Sequence, residues 1–153
     1  MNDTPSDRGE ALRKRLSEEE RDKSHPPVKV RDAASLIVLD PCGPSVLMGR
    51  RNARHVFMPN QFVFPGGRVD ASDSRVRVAR PYAPETAQKL ATSVSTRHTP
   101  TRLRAFGVAA LRETFEETGV LVGRTDSQRI PSSPPFAAFA TRGIALDLSA
   151  LSF

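Results

Sequence analysis

The sequence is poor in several residue types, and each shortage removes a class of explanation. It has no tryptophan, one tyrosine (Tyr82) and one cysteine (Cys42). A single cysteine cannot close an intrachain disulfide, and no Cys/His cluster has zinc-site spacing. No apolar run approaches the ~20 residues that cross a bilayer. The amino-terminal stretch is polar throughout, so a signal peptide is not expected. A reducing, cytoplasmic compartment and no membrane partner are the expectation. Glutamate is scarce beyond position 31, where only Glu85, Glu113, Glu116 and Glu117 occur. Lysine is scarcer still, since Lys89 is the one lysine among the basic residues of that stretch.

What the chain does have is one domain's worth of residues, 153 with 38% apolar, and much loop from 13 prolines and 9 glycines. Its net charge of +6 is unevenly spread. Residues 75–104 carry seven basic groups (Arg75, Arg77, Arg80, Lys89, Arg97, Arg102 and Arg104) against one acid, Glu85. Elsewhere the signs nearly cancel. Arginine favours planar, two-pronged contacts with phosphate or carboxylate.

Residues 1–31 read as a polar arm, either disordered or a solvated helix over 10–23, closed by His25-Pro26-Pro27. The domain proper is expected over 32–153. Residues 35–39 and 46–50 read as a β-hairpin around the turn Pro41-Cys42-Gly43-Pro44, and 61–64 as a short strand entering Pro65-Gly66-Gly67. Residues 74–104 form a basic, proline-punctuated excursion with a short helix near 85–91. Thr99 is placed to cap a helix opened by Pro100, which would run to Thr118 and stop at Gly119. Leu103, Phe106, Ala110 and Thr114 form its main apolar stripe, and Val108 and Phe115 mark a second side. A further short helix is expected over 136–142.

Three of the four late glutamates fall within five positions of that helix. Carboxylates at i, i+3 and i+4 share one arc and repel, destabilising an isolated helix by a few tenths of a kcal/mol per pair. A hard divalent cation would offset this, because Mg²⁺ takes carboxylate and phosphate oxygens together. The competing explanation is a solvated acidic face, which would oppose the helix macrodipole at that end.

The stretch Arg112-Glu113-Thr114-Phe115-Glu116-Glu117-Thr118-Gly119-Val120 resembles the second half of the Nudix box, G-x5-E-x7-R-E-U-x-E-E-x-G-U, with U apolar. Thr114 stands at an apolar position. Gly67 would be the box glycine, which puts Asp73 at the glutamate position. Residues 74–111 then occupy what the pattern gives as x7. A long insertion there, with Phe64-Pro65-Gly66-Gly67 before it, is similar to the coenzyme A diphosphatase-like branch of the family. The resemblance covers roughly residues 33–122 and implies an α/β fold, a Nudix-type α/β/α sandwich with a mixed sheet. That sandwich is expected to be incomplete at the C-terminus, its final strands and helix missing.

The resemblance also implies hydrolysis of a nucleoside diphosphate linked to another moiety, with coenzyme A or an acyl-CoA as the candidate substrate. Glu113, Glu116, Glu117 and the Gly66 carbonyl would hold Mg²⁺ or Mn²⁺. Arg112 would orient a box glutamate, and Glu113 and Glu116 would serve catalysis with it. Gly67, Arg50, Arg75 and Arg77 would meet the substrate. Asp73 and Gly119 complete the box, Asp73 as a ligand or as a loop residue. The arginines of 75–104 would contact a substrate richer in phosphate than a plain diphosphate, unless they form a solubilising surface loop. Two other function classes stay open: a catalytically silent nucleotide-binding or regulatory module, and a nucleic-acid binder. The near absence of aromatics among the arginines disfavours stacking on nucleic acid. A homodimer is left open, and weak or absent turnover is expected unless a partner chain completes the layer.

Overall fold

The structure is a computed structural model that describes residues 30–54, 59–94, 99–126, 128, 131 and 134–153. The expected arm helix over 10–23 lies outside these residues. Residues 31–153 form one unit.

Its centre is the helix the local signals delimit. We label β1 (Ala33–Ser35), β2 (Gly49–Arg50), β3 (Phe62–Val63), β4 (Gly66–Arg68), α1 (Pro84–Ser93), α2 (Pro100–Thr118), β5 (Arg124–Thr125), α3 (Ala137–Thr141) and β6 (Ile144–Ala145). Thr99 caps α2 by accepting from the Arg102 N–H, Pro100 occupies its first turn, and Gly119 ends it in the left-handed region at φ 74°. The expected helices near 85–91 and 136–142 appear as α1 and α3, the latter preceded by a 3-10 turn at Pro134–Phe136.

The strands form three two-stranded antiparallel ladders, β1 with β4, β2 with β3 and β5 with β6. The parallel link among the described residues is an isolated bridge, Arg80 with Asp147. The expected hairpin exists at its tip, where Leu39 bridges Val46 and the Leu47 N–H donates to the Val38 carbonyl. Farther back β1 leaves it and pairs with β4, Ala34 opposite Gly67 and Ser35 opposite Gly66. Antiparallel pairs alternate between bonded and non-bonded. The Leu36 N–H donates to the Pro65 carbonyl and the Val69 N–H to the Asp32 carbonyl, so Ser35–Gly66 is a non-bonded pair. The N–H and C=O of Gly66 therefore point away from β1, to the outer edge of β4.

Helix α2 is buried more widely than the expected stripe. Ala105, Gly107, Val108, Ala109, Ala110, Leu111, Arg112 and Thr114 are all buried, whereas Leu103 and Phe106 are half-buried. Two-sided coverage explains the difference. Ala110 faces β1 across a cavity, while Val108 and Leu111 join Val76, Phe136, Phe139, Leu146 and Leu148 in the core. Phe139 anchors that side through edge-on contact with Phe115, ring centroids 5.5 Å apart. Thr114 fits among apolar neighbours because its hydroxyl donates to the Ala110 carbonyl at 2.7 Å.

Candidate functional site

The site grows from one buried guanidinium. Arg112 is 4% exposed and uses all three of its nitrogens. Its Nε donates to Asp73 Oδ1 at 3.0 Å and its Nη2 to Asp73 Oδ2 at 3.1 Å, a two-pronged pair. Nη2 also donates to the Arg68 carbonyl at 3.0 Å. Nη1 is shared between Glu113 Oε1 at 2.8 Å and Glu116 Oε2 at 3.1 Å. Burial works against the arginine's charge, but the hydrogen bonds it donates to Asp73 and Glu113 outweigh it and hold the pKa above the ordinary arginine value. The group is therefore a permanent cation.

Asp73 is fully buried at the start of the 3-10 turn Asp73–Arg75. Its Oδ2 also accepts the Asp70 N–H at 2.8 Å. Asp73 thus acts as the expected loop or cap residue, closing its own turn, and is in addition the counter-charge that fixes Arg112. Neither oxygen faces the surface.

The glycines set the other wall. A Cβ on Gly67 would overlap the Glu113 carboxylate, and one on Gly66 would lie 2.5 Å from the Ala34 carbonyl. Their bareness is thus a matter of close approach. The outward N–H of Gly66 donates to Glu117 Oε2 at 3.0 Å. Glu113 and Glu117 accordingly meet β4 at adjacent residues, and Glu116 stands half-exposed beside Arg112.

The other expected site residues lie elsewhere. Arg50 pairs with Phe62 across β2 and β3 and shares its face of the sheet, turned from α2. Arg75 and Arg77 are exposed and form no hydrogen bond or ion pair with the acidic cluster. Gly119 acts as the helix stop. Sequence reasoning passed over Asp70 and Arg68, whose carbonyl holds Arg112 and whose side chain is exposed next to the glycines. An Asp at both ends of Asp70-Ala71-Ser72-Asp73 was the available signal, a turn pattern that caps itself. Among the described residues no helix is long and apolar enough to cross a membrane.

Comparison with known proteins puts this geometry in context. No family model matches the chain. It is 33% identical to nudix hydrolase 7 of Caenorhabditis elegans over 68% of this chain and 26% of that protein. It is 36% identical to the acyl-coenzyme A diphosphatase NUDT19 of Gallus gallus over 55% of this chain and 27% of that protein. The chain thus spans about a quarter of the length of the curated relatives it matches. Among solved structures, a NUDIX hydrolase from Alicyclobacillus acidocaldarius superposes with a TM-score of 0.54 at 28% identity, over 81% of this chain and 60% of that one. With an α/β fold that matches a solved relative, and with the glycine bend and acidic helix end joined through Arg112, the chain belongs to the Nudix hydrolase family.

Proposed function

We propose that this chain carries the carboxylate side of a site that hydrolyses the phosphoanhydride bond of a nucleoside diphosphate linked to another moiety. The observation that supports the reading most is the shared Nη1 of Arg112. It brings Glu113 and Glu116 together beside a glycine edge that also receives Glu117. A coenzyme A or acyl-CoA substrate is supported by one relative, which is named an acyl-coenzyme A diphosphatase.

The donor chemistry suits a hard divalent cation, since every candidate atom is an oxygen and the bare Gly67 leaves room for a carboxylate against the backbone. As placed, no three acidic, histidine or cysteine side chains among the described residues enclose a point in space. Glu113 and Glu116 are turned to Arg112 instead. Glu113, Glu116 and Glu117, with the outward carbonyl of Gly66, would hold Mg²⁺ or Mn²⁺, which when bound neutralises the diphosphate and makes a water more acidic. Arg112 stays in place as the carboxylates turn, because Asp73 and the Arg68 carbonyl hold its other nitrogens. A glutamate of the trio accepts the proton of the attacking water, and the products are two phosphomonoesters.

Titration with Mn²⁺, followed by water-proton relaxation, tests the reading without requiring turnover. The wild-type chain should bind the ion, and Glu116→Gln with Glu117→Gln should weaken binding at least about tenfold. No binding by the wild type, or a signal unchanged in the double variant, removes the proposal.

A further inference from the structure

Among the described residues, four carboxylates stand within 4.0 Å of the Arg112 guanidinium, and they differ in freedom. Asp73 is fully buried with both oxygens committed, Oδ1 to Nε, and Oδ2 to Nη2 and the Asp70 N–H. Glu113 and Glu116 share Nη1. Asp70 is the fourth. Its Oδ2 stands 4.0 Å from Nη2, beyond hydrogen-bond length, and its side chain is the most exposed of the four at 54%. Its main chain has no such freedom. The Asp70 N–H donates to Asp73 Oδ2 at 2.8 Å, and its carbonyl accepts the Asp73 N–H at 3.1 Å. Its Cα is thereby fixed beside the guanidinium, while its carboxylate can change rotamer in water.

The demand for such a change comes from Nη1. A cation gathered by Glu113, Glu116 and Glu117 takes oxygens from the two glutamates that satisfy Nη1. The guanidinium cannot follow them, because Asp73 and the Arg68 carbonyl hold Nε and Nη2. A buried, charged donor stripped of its acceptors is costly, and the cost weakens binding of the cation that causes it. A carboxylate anchored within reach, and engaged by no hydrogen bond among the described residues, offsets it.

We propose that Asp70 is a positioning residue, the reserve counter-charge that moves onto Arg112 when a cation draws Glu113 and Glu116 away. This inference rests on the phosphoanhydride reading above, in which those two carboxylates turn to the cation, and it names what steadies the arginine during the exchange. Asp70 needs no contact with the ion. It sets the affinity of the three glutamates through Arg112. At its present distance and exposure it adds little to the stability of the fold.

Three measurements on Asp70→Asn test it: the urea midpoint without added metal, the Mn²⁺ affinity by water-proton relaxation, and the Arg112 Nη1 protons by NMR at saturating Mg²⁺. The midpoint should equal that of the wild type. Mn²⁺ binding should weaken about fivefold, the size of one exposed ion pair. The Nη1 protons should stay resolved in the wild type and average by rotation in the variant. Asp70→Glu, which keeps the charge, should restore both the affinity and the resolved protons. A lowered midpoint would mean that Asp70 already holds Arg112, and an unchanged Mn²⁺ affinity that the arginine needs no replacement partner. Weaker Mn²⁺ binding with unaltered Nη1 protons would mean that Asp70 acts on the ion directly. Each of these three results overturns the role of Asp70 and leaves the glutamate trio standing. A wild-type chain that binds no Mn²⁺ overturns the underlying reading, and the role of Asp70 with it.

Discussion

At the scale of single residues, the Asp73–Arg112 pair carries the most weight. Both partners are buried; removing Arg112 leaves Asp73 as an uncompensated buried charge, and removing Asp73 takes away the fully buried, two-pronged partner of Arg112, with Glu113 and Glu116 left on Nη1 alone. Such a loss costs about 3–5 kcal/mol, a large part of the roughly 5–15 kcal/mol that holds a domain folded. Asp73→Ala should therefore lower the urea midpoint sharply at unchanged m-value. Asp73→Glu, which keeps the charge, has to fit an extra methylene where no space is open and should cost about 1–3 kcal/mol. Equal midpoints for Asp73→Ala and wild type would show that Glu113 and Glu116, at 2.8 and 3.1 Å, suffice as counter-charges for Arg112. Glycine 67 is constrained by the opposite requirement, that nothing be added, because the Glu113 carboxylate already occupies the space.

At the scale of elements, α2 depends on close approach near its middle. Gly107 is buried, and a Cβ there would overlap the Tyr82 hydroxyl and come within 2.9 Å of a Leu148 methyl. Burial pushes the Tyr82 phenol up to about 12, with contact to the Gly107 backbone lowering it somewhat. A phenol raised from 10.0 favours the folded state fully below pH 10 and loses that contribution as pH climbs through 12, because the unfolded chain ionises first. Tyr82 is the sole tyrosine, so phenolate absorbance reads it alone. The folded chain should titrate near 12 and the urea-unfolded chain near 10; coincident curves would mean that the ring is solvated in the folded state. The ends of α2 were legible because Thr99-Pro100 and Gly119 act locally. The partner of β1 was not legible, since Gly66–Arg68 lies some thirty residues away and the nearer hairpin strand offered the same alternation. The carboxylates' direction was equally hidden. Helical spacing puts Glu113, Glu116 and Glu117 on one arc but does not say whether a cation or Arg112 faces them. Asp73, 39 residues before its arginine, gave no periodic sign at all.

At the scale of the molecule, the sheet presents two unlike faces. Ladder register puts Ile37, Leu39, Val46, Met48, Phe62 and Phe64 on the side away from α2. All six are exposed, Leu39 at 66% and Phe62 at 65%. A contiguous apolar face of this kind favours association. Sedimentation should show concentration-dependent self-association of the chain, and Leu39→Lys with Phe62→Lys should return it to a monomer without moving the Tyr82 titration. A wild-type chain that sediments as a monomer at every concentration would contradict this. The guanidinium of Arg112 has a consequence at this scale too. It ties together a strand end at Arg68, a turn at Asp73 and the final turns of a helix, three stretches far apart along the chain. These stretches should exchange their amide protons as one cooperative block, so that any fluctuation undoing the turn also scatters the acidic edge. The chain cannot loosen its scaffold there and keep its chemistry assembled.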